Sequence, residues 1–437
     1  MDHARLLESD CEILPIEHRG RPGLFIRNRR QASDAGISLP RELAIVLPLI
    51  DGRRTLDEIT RAVDGLSREI VEEIVLALDG IYLIDNERSR AKRQTTIQAF
   101  KQATVREPIC AGGVYSKDPT ALGRQIDSMY TLPGGPGLPS RFEPNRPTPR
   151  LVLSPHIDYR RGKHSFTWGF KEIAERSTAT IYVIIATSHH SFSRFILTAK
   201  DFRTPLGLVP THRDFVDLLA DTYGPECFHD EYAHQPEHSI ELELPLLQHA
   251  LMNKPDYAIV PLLVGSFSDA VDQRRSPATF EDIRRMIEAI RSAEEACGEE
   301  VCYIVSGDLA HIGPKFGDRS KVTKQTSISC REGDERFLQE VASGNADRLF
   351  AVMADDQDDR RICGFPPLYV ALSAARPGQG TPRSLTGGPA GCHSIDSPRE
   401  GRPGFDASAG RLPPRSPIHR PTRAGCRLHG DGPAHCL

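Results

Sequence analysis

Four short polar stretches of this 437-residue chain gather groups able to bind a metal or move a proton. They are Ser154-Pro155-His156-Ile157-Asp158-Tyr159-Arg160-Arg161-Gly162, Ala186-Thr187-Ser188-His189-His190-Ser191, Pro236-Glu237-His238-Ser239-Ile240-Glu241 and Ser306-Gly307-Asp308-Leu309-Ala310-His311. Neutral imidazoles with a carboxylate ligate iron, zinc or manganese, and two histidines with one carboxylate is a non-haem iron arrangement. The same groups serve as general bases and as the residues that orient them. A single loop histidine is more often a surface hydrogen-bonding group, and of the tandem His189-His190 only one ring normally points inward. The constellation carries the inference. His238 is expected in the first turn of a helix, which puts Glu241 on the same face and lets both enter one pocket.

Three of these stretches directly follow predicted strands. Leu151–Ser154, Ile181–Ile185, Ala258–Val264 and Val301–Val305 are continuous apolar runs, as expected for strands buried on both faces. Helical stretches separate them, at 166–175, 213–221, 239–251 and 280–297. The alternation predicts an α/β fold, a mostly parallel sheet with helices on both faces. In such sheets ligands bind beyond the carboxyl ends of the strands, so the histidines should converge there.

Composition narrows the class. A net charge of −4 does not suit a polyanion-binding surface, so no nucleic-acid partner is expected. No apolar run reaches the length of a bilayer span and the N-terminus has no signal-peptide core, so a cytoplasmic, non-membrane protein is expected. Cys11, Cys110, Cys227, Cys297, Cys302, Cys330 and Cys363 are scattered without a C-x-x-C pair, and thiol chemistry is not predicted.

Two Pro/Gly-rich stretches divide the chain. Residues 1–90 read as a small winged-helix-like unit. It has an apolar helix at 41–50, a turn at Asp51-Gly52, a helix opened by a capping box at Thr55 and Glu58 and running through Val63, a third helix capped by Ser67, and a short strand at 81–84. Residues 91–149 read as a connector ending in a Pro/Gly-rich linker, to which no chemistry is assigned. Residues 150–375 form the domain with the histidines. From 376 to 437 the chain is rich in Arg, Pro and Gly without Lys, and reads as a disordered or frame-shifted tail.

The ordered motifs Ser-Pro-His156-Ile-Asp-Tyr-Arg-Arg-Gly, Ala-Thr-Ser-His-His190, Thr204-Pro-Leu-Gly207, Glu-His238-Ser-Ile-Glu241-Leu-Glu-Leu-Pro, Val-Pro-Leu-Leu-Val-Gly265 and Ser-Gly-Asp308-Leu-Ala-His311 resemble the Memo family. Its bacterial and archaeal members are called AmmeMemoRadiSam system protein B, a name that implies radical-SAM and AMMECR-type partner proteins. The family fold is similar to the class III extradiol dioxygenases, so the resemblance implies a non-haem-iron dioxygenase-like component, with copper or zinc as alternative metals. The alternative is a non-catalytic scaffold that keeps the fold. By position, His156 and His190 match metal ligands, while His238, His311 and Asp308 form the expected catalytic group, with His238 or His311 as general base. In animal members the third ligand is a cysteine immediately before the last histidine, and here that position is Ala310. Three readings follow: another group such as Asp308, His238 or His311 replaces it, water completes a weak site, or no catalytic metal binds. The pattern at Leu43–Ile84 resembles the PqqD-like domains, which implies that a peptide binds the N-terminal unit.

Overall fold

The computed structural model describes residues 3–7, 10–18, 21–28, 36–143, 145–254 and 256–375. The tail reading at 376–437 lies outside them. The chain divides into two compact units, the first ending at Gln102 and the second beginning at Ala103. No helix among the described residues is long and apolar enough to cross a membrane.

The first unit opens with a sheet that its sequence did not announce. Strands β1 (Cys11–His18), β2 (Arg21–Asn28) and β3 (Gly36–Pro40) form an antiparallel meander in that order. Pro15 is tolerated in β1 because that strand lies at an edge, where a missing N–H breaks no central ladder. The expected helix at 41–50 is a 3-10 helix, Arg41–Leu49. The capping box forms: Glu58 N donates to Thr55 Oγ1 at 3.2 Å, and Thr55 N donates to the Glu58 carboxylate at 2.8 Å. Helix Leu56–Ala62 follows it, and helix Arg68–Gly80 follows Ser67, whose hydroxyl makes no capping bond. Val71, Ile74, Val75 and Leu78 of that second helix are fully buried, a 3.6-residue stripe against Ile26, Ile37 and Leu39 of the sheet. Ile84 makes only an isolated bridge to Leu6 rather than a strand.

The second unit contains β4 (Val105–Arg106), β5 (Leu151–Ser154), β6 (Ile181–Thr187), β7 (Phe195–Leu197), β8 (Asp201–Thr204), β9 (Gly207–Val209), β10 (Ala258–Val264) and β11 (Val301–Ser306). Its main sheet has the order β5-β11-β6-β10-β7. The first four are mutually parallel, and the short edge strand β7 runs antiparallel to β10. Strands β4, β8 and β9 form a small side sheet that the sequence reading missed, being two to four residues each.

Both faces of the main sheet are covered, as the unbroken apolar runs require. Ile181, Val183 and Ile185 of β6 join a core with helices Arg213–Tyr223, Glu281–Cys297, Ala346–Asp356 and Phe365–Ala374. Tyr182, Ile184 and Ala186 point the other way, into a core with helices Pro119–Thr131, Thr167–Arg176 and Leu244–Ala250. Each fully buried aliphatic side chain contributes about 1.5–3 kcal/mol relative to exposure. The expected helix at 239–251 is shorter than anticipated. Pro245 has no N–H to donate, so it sits in the first turn of Leu244–Ala250, and residues Glu241–Glu243 form a separate 3-10 turn.

Candidate metal centre

The parallel strands deliver their C-terminal ends to one place. His156 lies two residues past β5, His189 two past β6 and Asp308 two past β11. The backbone N–H of His156 donates to Asp308 Oδ1 at 3.0 Å, tying the ends of β5 and β11 together.

The His156 side chain is buried, with Nδ1 3.3 Å from Ser306 Oγ. The single hydroxyl proton of Ser306 goes to the carbonyl of Ser239 at 2.7 Å. Ser306 can therefore only accept from His156, which places the imidazole proton on Nδ1 and leaves a lone pair on Nε2 facing the pocket. Burial pushes the pKa of His156 down to about 3, against the raising effect of Asp308, so the ring is neutral.

His189 is held from the opposite side. Its Nδ1 lies 3.1 Å from Glu237 Oε1, and its backbone N–H donates to Glu237 Oε2 at 2.7 Å. The same carboxylate accepts from the backbone of His238 at 2.9 Å and of Ser239 at 3.0 Å. Burial works against both charges of this pair. Their mutual attraction outweighs it, raising His189 well above the usual imidazole range and holding Glu237 well below the usual carboxylate range. A carboxylate bound to Nδ1 is the arrangement that turns Nε2 of a histidine toward a metal.

His238 completes the group. Its ring stacks on His189 at a centroid distance of 4.9 Å and meets His156 edge-on at 5.3 Å. Burial lowers its pKa, while neighbouring Glu237 pulls the other way. One ring nitrogen from each of His156, His189 and His238 lies within 4.8 Å of the others. The His156 side chain is 1% exposed, that of His238 15% and that of His189 26%, so the cluster opens to solvent on one side.

Other expected residues fall differently. His190, expected beside His156, instead groups with Glu237 and His238, and the ring that meets His156 belongs to His189. Asp308 lies at the cluster, with Oδ2 4.0 Å from His156 Nε2. His311 stands outside the ligand group. Its Nδ1 is 3.0 Å from the carbonyl of Arg361, its ring lies edge-on to Phe316, and burial lowers its pKa.

Glu241 does not enter the pocket. His238 precedes the 3-10 turn, so helical i,i+3 geometry never applies to the pair. The Glu241 carboxylate is fully buried against the Arg106 guanidinium, the N–H groups of Ile109 and Cys110 at 3.0 and 2.8 Å, and the Tyr115 hydroxyl at 2.6 Å. Arg106 also donates to the carbonyls of His234 at 3.1 Å, Gln235 at 3.2 Å and Glu237 at 2.6 Å. The stretch read as a connector without chemistry thus pins the loop that carries Glu237 and His238. The acidic residue that serves the site is Glu237, the immediate neighbour of His238.

A thiol to which the sequence reading gave no role also reaches the cluster. Cys363, in the turn before helix Phe365–Ala374, has Sγ 3.4 Å from His156 Nε2. Its one S–H faces two acceptors, that nitrogen and the carbonyl of Asp308 at 3.7 Å. Cys363 lies 207 residues from His156 in sequence, and only its place beside Gly364, before a helix-opening Phe-Pro-Pro, marks it.

This donor set suits a transition-metal ion. The imidazoles are close enough to share one ion, two are pre-oriented by hydrogen bonds on their far nitrogens, and a soft sulfur and two carboxylates stand nearby.

Comparison with known proteins agrees with the motif reading. Residues 106–383 match the family described as Memo-like protein. A MEMO1 family protein of Aquifex aeolicus is 25% identical over 77% of this chain and 84% of its own length. One of Thermotoga neapolitana is 32% identical over 62% of this chain and 88% of its own. Another, of Methanobrevibacter smithii, is 28% identical over 61% and 86%. With the match starting at Arg106, the residue that pins the His238 loop, and covering the whole main sheet, the chain belongs to the Memo family.

Proposed function

We propose that the chain is a metal-dependent, dioxygenase-like component, with Fe(II) held by His156 and His189. The observation that supports this most directly is hydrogen-bond direction. Ser306 and Glu237 each occupy the Nδ1 side of a histidine, so both Nε2 atoms face the same space. When bound, Fe(II) supplies redox chemistry toward O₂ and Lewis acidity toward an oxygen-bearing substrate. His238 takes the proton of a substrate hydroxyl, because burial lowers its pKa and keeps the ring neutral. Glu237 Oε1, 3.3 Å from His238 Nδ1, stabilises the imidazolium that results. Asp308 anchors the backbone of His156, and His311 stands at the rim as an alternative base.

The reading is tested by anaerobic Fe(II) titration of the full chain. A saturable site that is lost in His156→Ala and His189→Ala supports it, and a parent protein without a saturable site overturns it. Catechol cleavage that disappears in His238→Ala supports the enzymatic role.

A second reading keeps the fold and the metal but not the turnover. Ala310 favours it, because a methyl group stands where animal members carry a ligand. Metal binding with no cleavage of any catechol establishes this scaffold role. In either case we propose that the protein works with radical-SAM and AMMECR-type partners. We further propose that the first unit recruits a peptide at an edge of its antiparallel sheet.

A further inference from the structure

We infer that Cys363 supplies a thiolate ligand to this centre, completing a set with His156 and His189 that Ala310 leaves short. The inference rests on the proposed metal site and names a ligand for it.

Distance is the first argument. A nitrogen about 2.0 Å and a sulfur about 2.3 Å from one tetrahedral ion stand about 3.5 Å apart. Cys363 Sγ lies 3.4 Å from His156 Nε2, the nitrogen whose lone pair faces the pocket. An ion bound at that lone pair therefore stands within reach of the sulfur.

The backbone that carries the thiol is fixed by two different strand ends. Thr187 Oγ1, the last residue of β6, donates to the carbonyl of Cys363 at 2.9 Å. The next N–H, of Gly364, donates to the carbonyl of Asp308, just past β11, at 3.0 Å. This second bond requires close backbone contact: a Cβ on Gly307 would stand 2.4 Å from Gly364 Cα. Two glycines let the turn come within reach of the cluster. A buried thiol with no ligand role needs no such approach.

Ligand chemistry is the last argument. Replacing the thiol proton with a metal ion is a simple exchange: the S–H bond breaks, the proton goes to solvent, and an S–metal bond forms without any oxidant or reductant. A His₂Cys set with a nearby carboxylate is softer than an all-histidine one and favours Fe(II), Zn or Cu(I) over Mg or Ca.

Co(II) serves as the probe, added anaerobically to the full chain and followed by absorption. With the parent protein, a thiolate-to-Co(II) charge-transfer band should accompany the ligand-field bands. In Cys363→Ser the charge-transfer band should vanish, the ligand-field bands should persist, and affinity should fall by at least about tenfold. Cys297→Ser is the control for a thiol outside the cluster and should keep the band, and circular dichroism verifies the fold of each variant. Ligand-field bands without a charge-transfer band in the parent, or a band that survives Cys363→Ser, overturn the cysteine assignment and leave the histidine site standing. Absence of any Co(II) bands in the parent overturns the histidine site itself.

Discussion

Glu237→Gln is the most informative change to the candidate centre, because its cost follows from counting donors. The carboxylate accepts from three backbone N–H groups and one imidazole, and it donates nothing. A glutamine keeps one oxygen and adds an NH₂. With that oxygen at the Oε1 position, the NH₂ faces the N–H of His189. With the amide reversed, it faces those of His238 and Ser239. Either way at least one buried N–H loses its acceptor, at about 1–3 kcal/mol. His189 loses its counter-charge as well, and breaking a buried ion pair by removing one partner typically costs about 3–5 kcal/mol in all. The pH dependence has a definite form. The folded pKa of Glu237 is depressed, so its contribution is complete above the ordinary 4.5 and is lost as pH falls through the folded value. The folded pKa of His189 is raised, so its contribution is complete below the ordinary 6.5 and is lost as pH rises through the folded value. The stability gap between parent and Glu237→Gln should therefore be widest between about pH 4.5 and 6.5 and narrow on either side. Urea unfolding across that range measures it. Co(II) affinity should fall by about 10–100-fold as His189 loses its orientation. Equal urea midpoints throughout the range, together with unchanged affinity, would refute the role assigned to Glu237.

Two further changes probe buried positions outside the ligand group. Glu243 is fully buried, its oxygens have no hydrogen-bond partner among the described residues, and burial raises its pKa to about 8. A raised carboxyl loses stability as pH climbs from 4.5 to 8, by about 3 kcal/mol at pH 7, so Glu243→Gln should flatten the pH profile of unfolding over that interval. An unaltered slope would contradict this. Gly307→Ala drives a methyl into the backbone of Gly364 and should cost about 1–3 kcal/mol or more. It should also weaken the thiolate–Co(II) band by displacing Cys363, and a variant with parental stability and spectrum would show that the close approach is dispensable.

The parts of this molecule legible in its sequence are those set by local periodicity. The buried strands are unbroken runs of apolar residues because both faces of the sheet are covered, and the capping box at Thr55 and Glu58 needs only four residues to be recognised. The antiparallel sheet of the first unit was not legible. Its strands carry prolines and charges because two of the three are edges, and its pairing is set by partners rather than by its own pattern. At the site, the strand-end rule brought His156 and Asp308 to one place, with a histidine from the end of β6. It could not say which of two adjacent rings turns inward. That choice belongs to Glu237, whose carboxylate holds Nδ1 of His189. Helical spacing pointed to Glu241 as the partner of His238 and failed because the chain is not yet helical at His238.

Two buried acids thus divide the work around one loop. Glu241, with Arg106, Tyr115 and two backbone N–H groups, fastens the loop to the segment that precedes the main sheet. Glu237, four residues earlier, spends its acceptors on the loop itself and on His189. Neither carboxylate is free to move toward the pocket without leaving several buried donors unpaired. The groups able to adjust are the imidazole rings and the thiol of Cys363, whose protons can be exchanged for a metal. An arrangement whose acids are committed to structure and whose imidazole nitrogens and sulfur stand together suits a soft or borderline cation better than a hard one.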